Sequence, residues 1–309
     1  YRGQHSMQLV GAFACSHAGF LITHFDQASP DKRDAVYAGF ATMRERIASL
    51  APDALIVVAT DHGRIYPLTH QPQFVIGVGP RARGIGDAGL PTCEVAIHQP
   101  VAQALLEGCI DEGVDLGYSE DVQIDHSFVT PLMLATPQLD IAIVPIVQNC
   151  RMRPMPTLRR SRAVGQAIGR AIRASGRHER VVLVGTGGLS HWVGDERRRS
   201  FIRQPAGTRF ARESEYQLVL PTTGPINQTF DAEFLQTLAR GQAEEFTREW
   251  SDDRLEDTAG NGAQEIRNWL LVAGVAEDAP AEVLGYAAVP EWLTGSAVAA
   301  FEVQSSEVR

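Results

Sequence analysis

Apolar and polar positions follow two rhythms along the first half of the chain. Gln8 to Ala14 has the short apolar pattern of a strand. Ser29-Pro30 then supplies an N-cap followed by a proline suited to the first turn of a helix. Beyond it Val36, Phe40, Met43, Ile47 and Leu50 share one helical face, and Pro52 ends the segment. Such a stripe must pack on something, and Ala54 to Thr60 offers a continuous apolar run of the kind found in strands covered on both faces. Phe74 to Val78 repeats that pattern. A helix is predicted from near Pro100 to Gly113, with Val101, Leu105 and Cys109 on its buried side.

Ile141 to Val147 and Val181 to Gly185 are further buried strands. Between them a helix from Leu158 to Ser175 aligns Ala163, Ala167 and Ala171 beside Val164, Ile168 and Ile172, with Gly176 as its C-terminal cap. Two short strands, Leu284 to Ala288 and Ala297 to Val303, flank Pro290-Glu291-Trp292. This alternation predicts an α/β fold: a single-domain mixed sheet covered by helices on both faces, with any active site at the C-terminal ends of the strands. The stretch from Trp192 to about Gly262 departs from it, being polar and rich in Arg and Pro, with short helices such as Asp231 to Arg240. It is expected to be an excursion over the sheet, and a candidate lid, within one domain spanning residues 7–309. Residues 1–6 are read as a cloning remnant ahead of Met7.

Charge and composition narrow the partners. Lys plus Arg total 28 against 37 for Asp plus Glu, a net charge of −9 that argues against a general nucleic-acid binder. The longest apolar runs fall far short of the roughly 18 residues that span a bilayer. Cys15, Cys93, Cys109 and Cys150 are scattered without a C-x-x-C pair, which suits reduced thiols in a cytoplasmic protein. A small-molecule partner is therefore expected, with no nucleic acid and no membrane, in a chain that forms a homo-oligomer as many soluble proteins do.

Four of the nine histidines follow a predicted strand or its turn. They are His17 in Ser16-His17-Ala18-Gly19, His62 in Asp61-His62-Gly63, His126 in Asp125-His126-Ser127-Phe128 and His191 in Gly187-Gly188-Leu189-Ser190-His191. Each alone reads best as a hydrogen-bonded turn histidine; four at strand ends point to one crevice. Two histidines and one carboxylate make the facial triad of non-haem Fe(II) oxygenases. Among the acids Glu265 stands out, because Gly260-Asn261-Gly262 leads it into the first turn of a helix, although a solvated acid is equally at home there. Gly185-Thr186-Gly187-Gly188 lacks the Lys-Ser/Thr of a phosphate loop and is read as a tight turn that lets backbone approach a ligand. Ser190-His191 sits in no G-x-S-x-G elbow.

At these motifs the chain resembles the class III extradiol ring-cleavage dioxygenases, the superfamily of the protocatechuate 4,5-dioxygenase catalytic subunit. Asp125-His126-Ser127-Phe128, Gly187-Gly188-Leu189-Ser190-His191 and Glu265-Ile266-Arg267-Asn268-Trp269 look most like its single-subunit 2,3-dihydroxyphenylpropionate type. The resemblance implies that His17, His62 and Glu265 bind Fe(II) and that His191 and His126 act as acid/base groups. A catechol or related dihydroxy or aminohydroxy aromatic would then be opened beside its two hydroxyls, with both atoms of O₂ entering the product, in aromatic compound catabolism. Two alternatives stand beside it: a non-catalytic binding protein on the same fold, and a zinc-dependent hydrolase. His126 has a structural alternative of its own, a hydrogen-bonded pair with Asp125. Arg151, Arg153, Arg197 and Arg198 are candidates for selecting a carboxylated substrate, against the commoner role of solvated loop arginines.

Overall fold

The computed structural model describes residues 7–67, 69–193 and 224–303. In chain order its first elements are β1 (Gln8–Cys15), α1 (Phe20–Thr23), α2 (Pro30–Leu50), β2 (Ala54–Ala59), β3 (Phe74–Gly77), β4 (Arg81–Ile85), β5 (Thr92–Ala96) and α3 (Gln99–Asp111). There follow β6 (Gly117–Ser119), β7 (Gln123–Ile124), α4 (His126–Ala135), β8 (Ile143–Gln148), α5 (Leu158–Ala174) and β9 (Arg180–Thr186). Beyond residue 224 come α6 (Gln228–Ala239), α7 (Ala243–Glu249), α8 (Asp252–Ala259), α9 (Ile266–Val275), β10 (Ala281–Val289) and β11 (Thr294–Phe301).

The continuous apolar runs form the middle of one eight-stranded sheet among the described residues, in the order β10-β11-β1-β9-β2-β8-β3-β6. Neighbours among β1, β9, β2 and β8 are parallel, whereas β11 on β1, β10 on β11 and β3 on β8 are antiparallel. The sheet is therefore mixed, as the sequence predicts. Strands β2 and β8 are buried at every position, which is why they carry no polar alternation.

Helices cover both faces. On one, α2 lies across β10, β11 and β1, with α4 against α2 and β2. On the other, α9 lies on β9 and β1, α5 packs on α9, and α3 packs on α5. The α5–α9 pair meets at backbone distance. A side chain at Gly165 would place its Cβ 2.0 Å from the Leu271 carbonyl oxygen, and one at Gly274 would reach 2.1 Å from that of Arg162.

Parallel pairing aligns four carboxyl ends along one edge. Cys15 faces Thr186, Val58 faces Gly185, and Ala59 faces Val147, so the loops after β1, β2, β8 and β9 emerge side by side. That geometry delivers residues 17, 62, 151 and 191 to a common rim.

Within the expected excursion, residues 228–259 are the three helices α6 to α8, part of the packed body. Phe230, Phe234, Phe246 and Trp250 stack there, and Phe234 meets Trp269 of α9 at 6.1 Å between ring centroids. Residues 194–223, with Arg197 and Arg198, lie outside the described residues, as do the expected remnant at 1–6 and the tail from 304.

Candidate metal centre

His17, two residues beyond β1, is buried. Its Nδ1 lies 3.0 Å from Thr186 Oγ1, and that hydroxyl donates its own hydrogen to the Ser127 carbonyl at 2.8 Å. Thr186 can then only accept from the ring, so Nδ1 carries the imidazole hydrogen and Nε2 is a bare lone pair. Nε2 is buried without a hydrogen-bond partner and faces Glu265 Oε2 at 3.0 Å.

His62 is held in the same sense. Its backbone N–H and its Nδ1 both approach Asp125 Oδ2, at 2.9 and 3.0 Å, while Nε2 lies 3.1 Å from Glu265 Oε1. Asp125 is the N-cap of α4 and also accepts from Ser127 N at 2.8 Å. Burial disfavours its charge, but His62, His126 and Ser127 overcome that and hold its pKa well below the usual carboxylate range. The expected Asp125–His126 pair is thus not what forms: Asp125 serves His62. The reason is local, since an N-cap side chain turns back over its own helix start, away from the next side chain.

Glu265 is buried at the end of a 3₁₀ turn (Asn261–Glu265), one residue before α9, rather than a solvated acid on a helix. Gly188 N–H donates to its Oε2 at 3.0 Å. The glycines of the 185–188 turn make this approach possible, because a Cβ at Gly187 would sit 2.7 Å from the Glu265 carbonyl oxygen. Burial opposes ionisation of Glu265, yet His17, His191 and His62 keep its pKa well below the ordinary value.

One carboxylate so placed between ring nitrogens calls for a cation. Without a metal a proton serves: burial pulls the His62 pKa down, but Asp125 and Glu265 raise it to about 9. His17 has no such proton, since burial outweighs Glu265 and lowers its pKa. Two imidazoles with outward hydrogens tied off, plus a carboxylate, are a donor set for a divalent first-row metal. The orphaned Nε2 of His17 fits that occupant.

His191 reaches the same carboxylate, with Nε2 3.6 Å from Glu265 Oε2. Its Nδ1 lies 2.9 Å from the Leu189 carbonyl, which can only accept, so Nε2 is again unprotonated in the neutral ring. Burial lowers its pKa, against the opposing effect of Glu265. The ring is wedged between two glycines: a Cβ at Gly262 would lie 2.2 Å from Nε2, and one at Gly188 2.7 Å from Cε1.

His126, the first residue of α4, stacks on His62 at 4.0 Å between centroids and 28° between planes. One ligand atom each from His17, His62 and His126 lie within 4.8 Å of one another, so His126 is also within reach of a metal. All five residues singled out in the sequence therefore meet in one place. Two that sequence reasoning missed are Asp61, which accepts from Arg64, Ile65 and Tyr66 N–H and so shapes the loop bearing His62, and Asp87, which holds His126.

The arginine candidates separate. Arg153 is spent on Glu256 and Asp253, at 2.8 and 2.9 Å. Arg151 has neither an ion pair nor a side-chain hydrogen bond among the described residues, though it feels Glu265, Asp61 and Asp125. Asn149 Oδ1 pins its loop by accepting from Arg151 N and Met152 N, at 3.1 and 2.8 Å.

A mixed α/β sheet that gathers four histidines and a buried carboxylate beyond its strand ends forms a candidate metal centre. Residues 11–300 match the family described as the catalytic LigB subunit of aromatic ring-opening dioxygenase. The chain belongs to this family of ring-opening dioxygenases, and a metal cofactor suits both the family and the histidine cluster. It is similar to a 2,3-dihydroxyphenylpropionate/2,3-dihydroxicinnamic acid 1,2-dioxygenase of Rhodococcus sp, with 31% identity over 286 residues, 85% of this chain and 89% of that protein. A protein of the same description from Escherichia coli O139:H28 is 30% identical over 298 residues, covering 89% and 93%. In fold it resembles the crystal structure of uncharacterized protein JW3007 from Escherichia coli K12, with a TM-score of 0.57 at 14% identity over 94% of this chain and 99% of that one. No helix among the described residues is long and apolar enough to cross a membrane.

Proposed function

We propose that the chain is an Fe(II)-dependent extradiol dioxygenase that opens a carboxylate-bearing catechol beside its hydroxyls, with both atoms of O₂ entering the product. The observation that carries this reading is Glu265 held 3.0 and 3.1 Å from the Nε2 atoms of His17 and His62, each ring tied off behind. His17, His62 and Glu265 would hold the iron. Bound there, Fe(II) supplies positive charge that favours the deprotonated diol, and open positions for substrate and O₂.

The chain's own groups handle the protons. His191, neutral and with Nε2 bare, accepts a proton released by the diol. His126, stacked on His62, is placed for a second proton transfer. Burial keeps the exchange at His191 away from bulk water. A zinc hydrolase would use the same donors, so the test is made on metal and oxygen together. Protein loaded anaerobically with Fe(II) should consume O₂ with 2,3-dihydroxyphenylpropionate and give a yellow ring-opened product carrying both oxygen-18 labels, whereas Zn(II)-loaded protein should not. No uptake with any catechol, or a muconate formed by cleavage between the hydroxyls, would overturn the proposal.

The relatives are named for catechols with a carboxylate side chain, and the unpaired Arg151 guanidinium is the cation suited to such a group here. Arg151→Gln should raise KM for 2,3-dihydroxyphenylpropionate by about 10–100-fold, the loss of one charge-assisted hydrogen bond of roughly 1.5–3 kcal/mol. KM for 3-methylcatechol should change by less than about threefold. Equal effects on the two substrates would remove Arg151 from that role.

A further inference from the structure

The geometry points to Asp87 as the residue that fixes the orientation and tautomer of the His126 ring, and to the small second sheet as the device that brings it there. This deepens the reading above, on which the catalytic consequence rests. Asp87 lies in the turn between β4 and β5, 39 positions from His126 in the chain. Its Oδ1 accepts from the His126 backbone N–H at 2.8 Å and its Oδ2 faces His126 Nδ1 at 2.5 Å. The Asp87 side chain is 5% exposed, with Arg64 Nε at 3.6 Å and a carboxylate oxygen of Asp125 within 4.8 Å. A carboxylate fixed this way accepts from Nδ1–H and leaves Nε2 of the neutral ring as a lone pair.

Three features hold that contact. Strand β4 pairs in parallel with β7, Gly84 opposite Ile124, two residues before His126. Turn residues Gly86, Ala88 and Gly89 all have positive φ, and Leu90 N donates to the Asp87 carbonyl at 2.9 Å, so the tip is tightly curled. The tip also rests on the loop that carries His17: a Cβ at Gly19 would lie 2.7 Å from Ala88 Cβ, so only glycine there lets the turn sit down. The tip of the three-stranded sheet β5-β4-β7 thus ends on His126.

Asp87 is thus a positioning residue: it touches no reacting atom and acts through His126. In Asp87→Asn the amide oxygen can keep the backbone bond while its NH₂ faces Nδ1, which moves the ring hydrogen to Nε2 and blocks proton acceptance there. Two measurements test this. In metal-free protein labelled with ¹⁵N-histidine, and assigned against His126→Ala, His126 should show a protonated Nδ1 and a bare Nε2 in wild type, and the reverse in Asp87→Asn. In Fe(II)-loaded protein, Asp87→Asn should lower kcat by about 10²–10³-fold with KM and bound iron unchanged, and Asp87→Glu should recover part of it. Placed on His126→Ala, Asp87→Asn should cost less than about twofold more. An Nε2–H ring in wild type, or an undiminished further loss in the His126→Ala background, would overturn the assignment. Inactivity of wild-type protein toward every catechol would instead sink the dioxygenase reading and leave the tautomer measurement to decide Asp87 alone.

Discussion

Glu265→Gln is expected to abolish iron binding while the protein still folds. Gln matches the shape of Glu265, keeps an oxygen for the Gly188 N–H, and leaves one uncharged atom facing each histidine. The charge that attracts the cation disappears. Loss of a partner behind a ligand typically costs about 10–100-fold in metal affinity, so removal of the carboxylate itself should cost more, and turnover should fall to background. Metal-free Glu265→Gln should nevertheless unfold cooperatively near wild type, because His62 can shed the proton that Glu265 and Asp125 hold on it while Asp125 keeps its hydrogen bonds from His62 and Ser127. Iron content after anaerobic loading, with thermal unfolding of both metal-free proteins, measures the two effects apart. A Glu265→Gln protein with full iron would remove Glu265 from the ligand set.

Asp125→Asn should act more mildly and through His62. It removes the charge behind Nδ1 but leaves His17 and Glu265 in place, so affinity should fall within the 10–100-fold range of about one lost supporting bond. Comparison of the two variants separates a ligand from the group that orients one.

The central sheet was legible because its strands are buried on both faces, and burial writes itself as uninterrupted apolar sequence in Ala54–Ala59 and Ile143–Gln148. Helix α2 declared itself by a stripe on one face. The second sheet did not, because β4 turns only Ala82 and Gly84 inward, and residues so small leave no hydrophobic rhythm. Helix α4 stayed hidden for the opposite reason. It is buried from Ser127 through Leu132 and contains Pro131, so it shows neither an amphipathic period nor an uninterrupted helical composition.

The same contrast runs through the site. Ligand-type residues could be picked out because each follows a strand or a glycine turn, a local mark. Their partners come from far along the chain: Thr186 for His17, Asp125 for His62, Asp87 for His126. Only the register of the sheets relates them, and no spacing in the sequence encodes it. The tautomers, on which the chemistry depends, are set by these distant partners.

His191→Ala and His126→Ala are expected to keep iron and lose turnover, each by on the order of 10²–10⁴-fold in kcat. Both rings present an unprotonated Nε2 beside the metal ligands, but they are built differently. His191 is tied to the Leu189 carbonyl, and burial lowers its pKa against the raising effects of Glu265 and Leu189. It is thus suited to release a proton promptly after taking one. His126 is backed by the Asp87 carboxylate, which fixes the ring through Nδ1 and leaves Nε2 facing the site. Loss of His191 should therefore fall on the step that needs a base, and loss of His126 on a later proton transfer. In rapid mixing under anaerobic conditions, His191→Ala should bind catechol without the fast spectral change of diol deprotonation. His126→Ala should show that change at wild-type rate and stall after O₂ is added. Iron content is the control, since the three atoms of His17, His62 and His126 lie within 4.8 Å and His126 could itself be a ligand. Iron lost from His126→Ala and kept by Glu265→Gln would exchange the two residues' roles, and an equal delay of diol deprotonation in both histidine variants would end the division of labour between them.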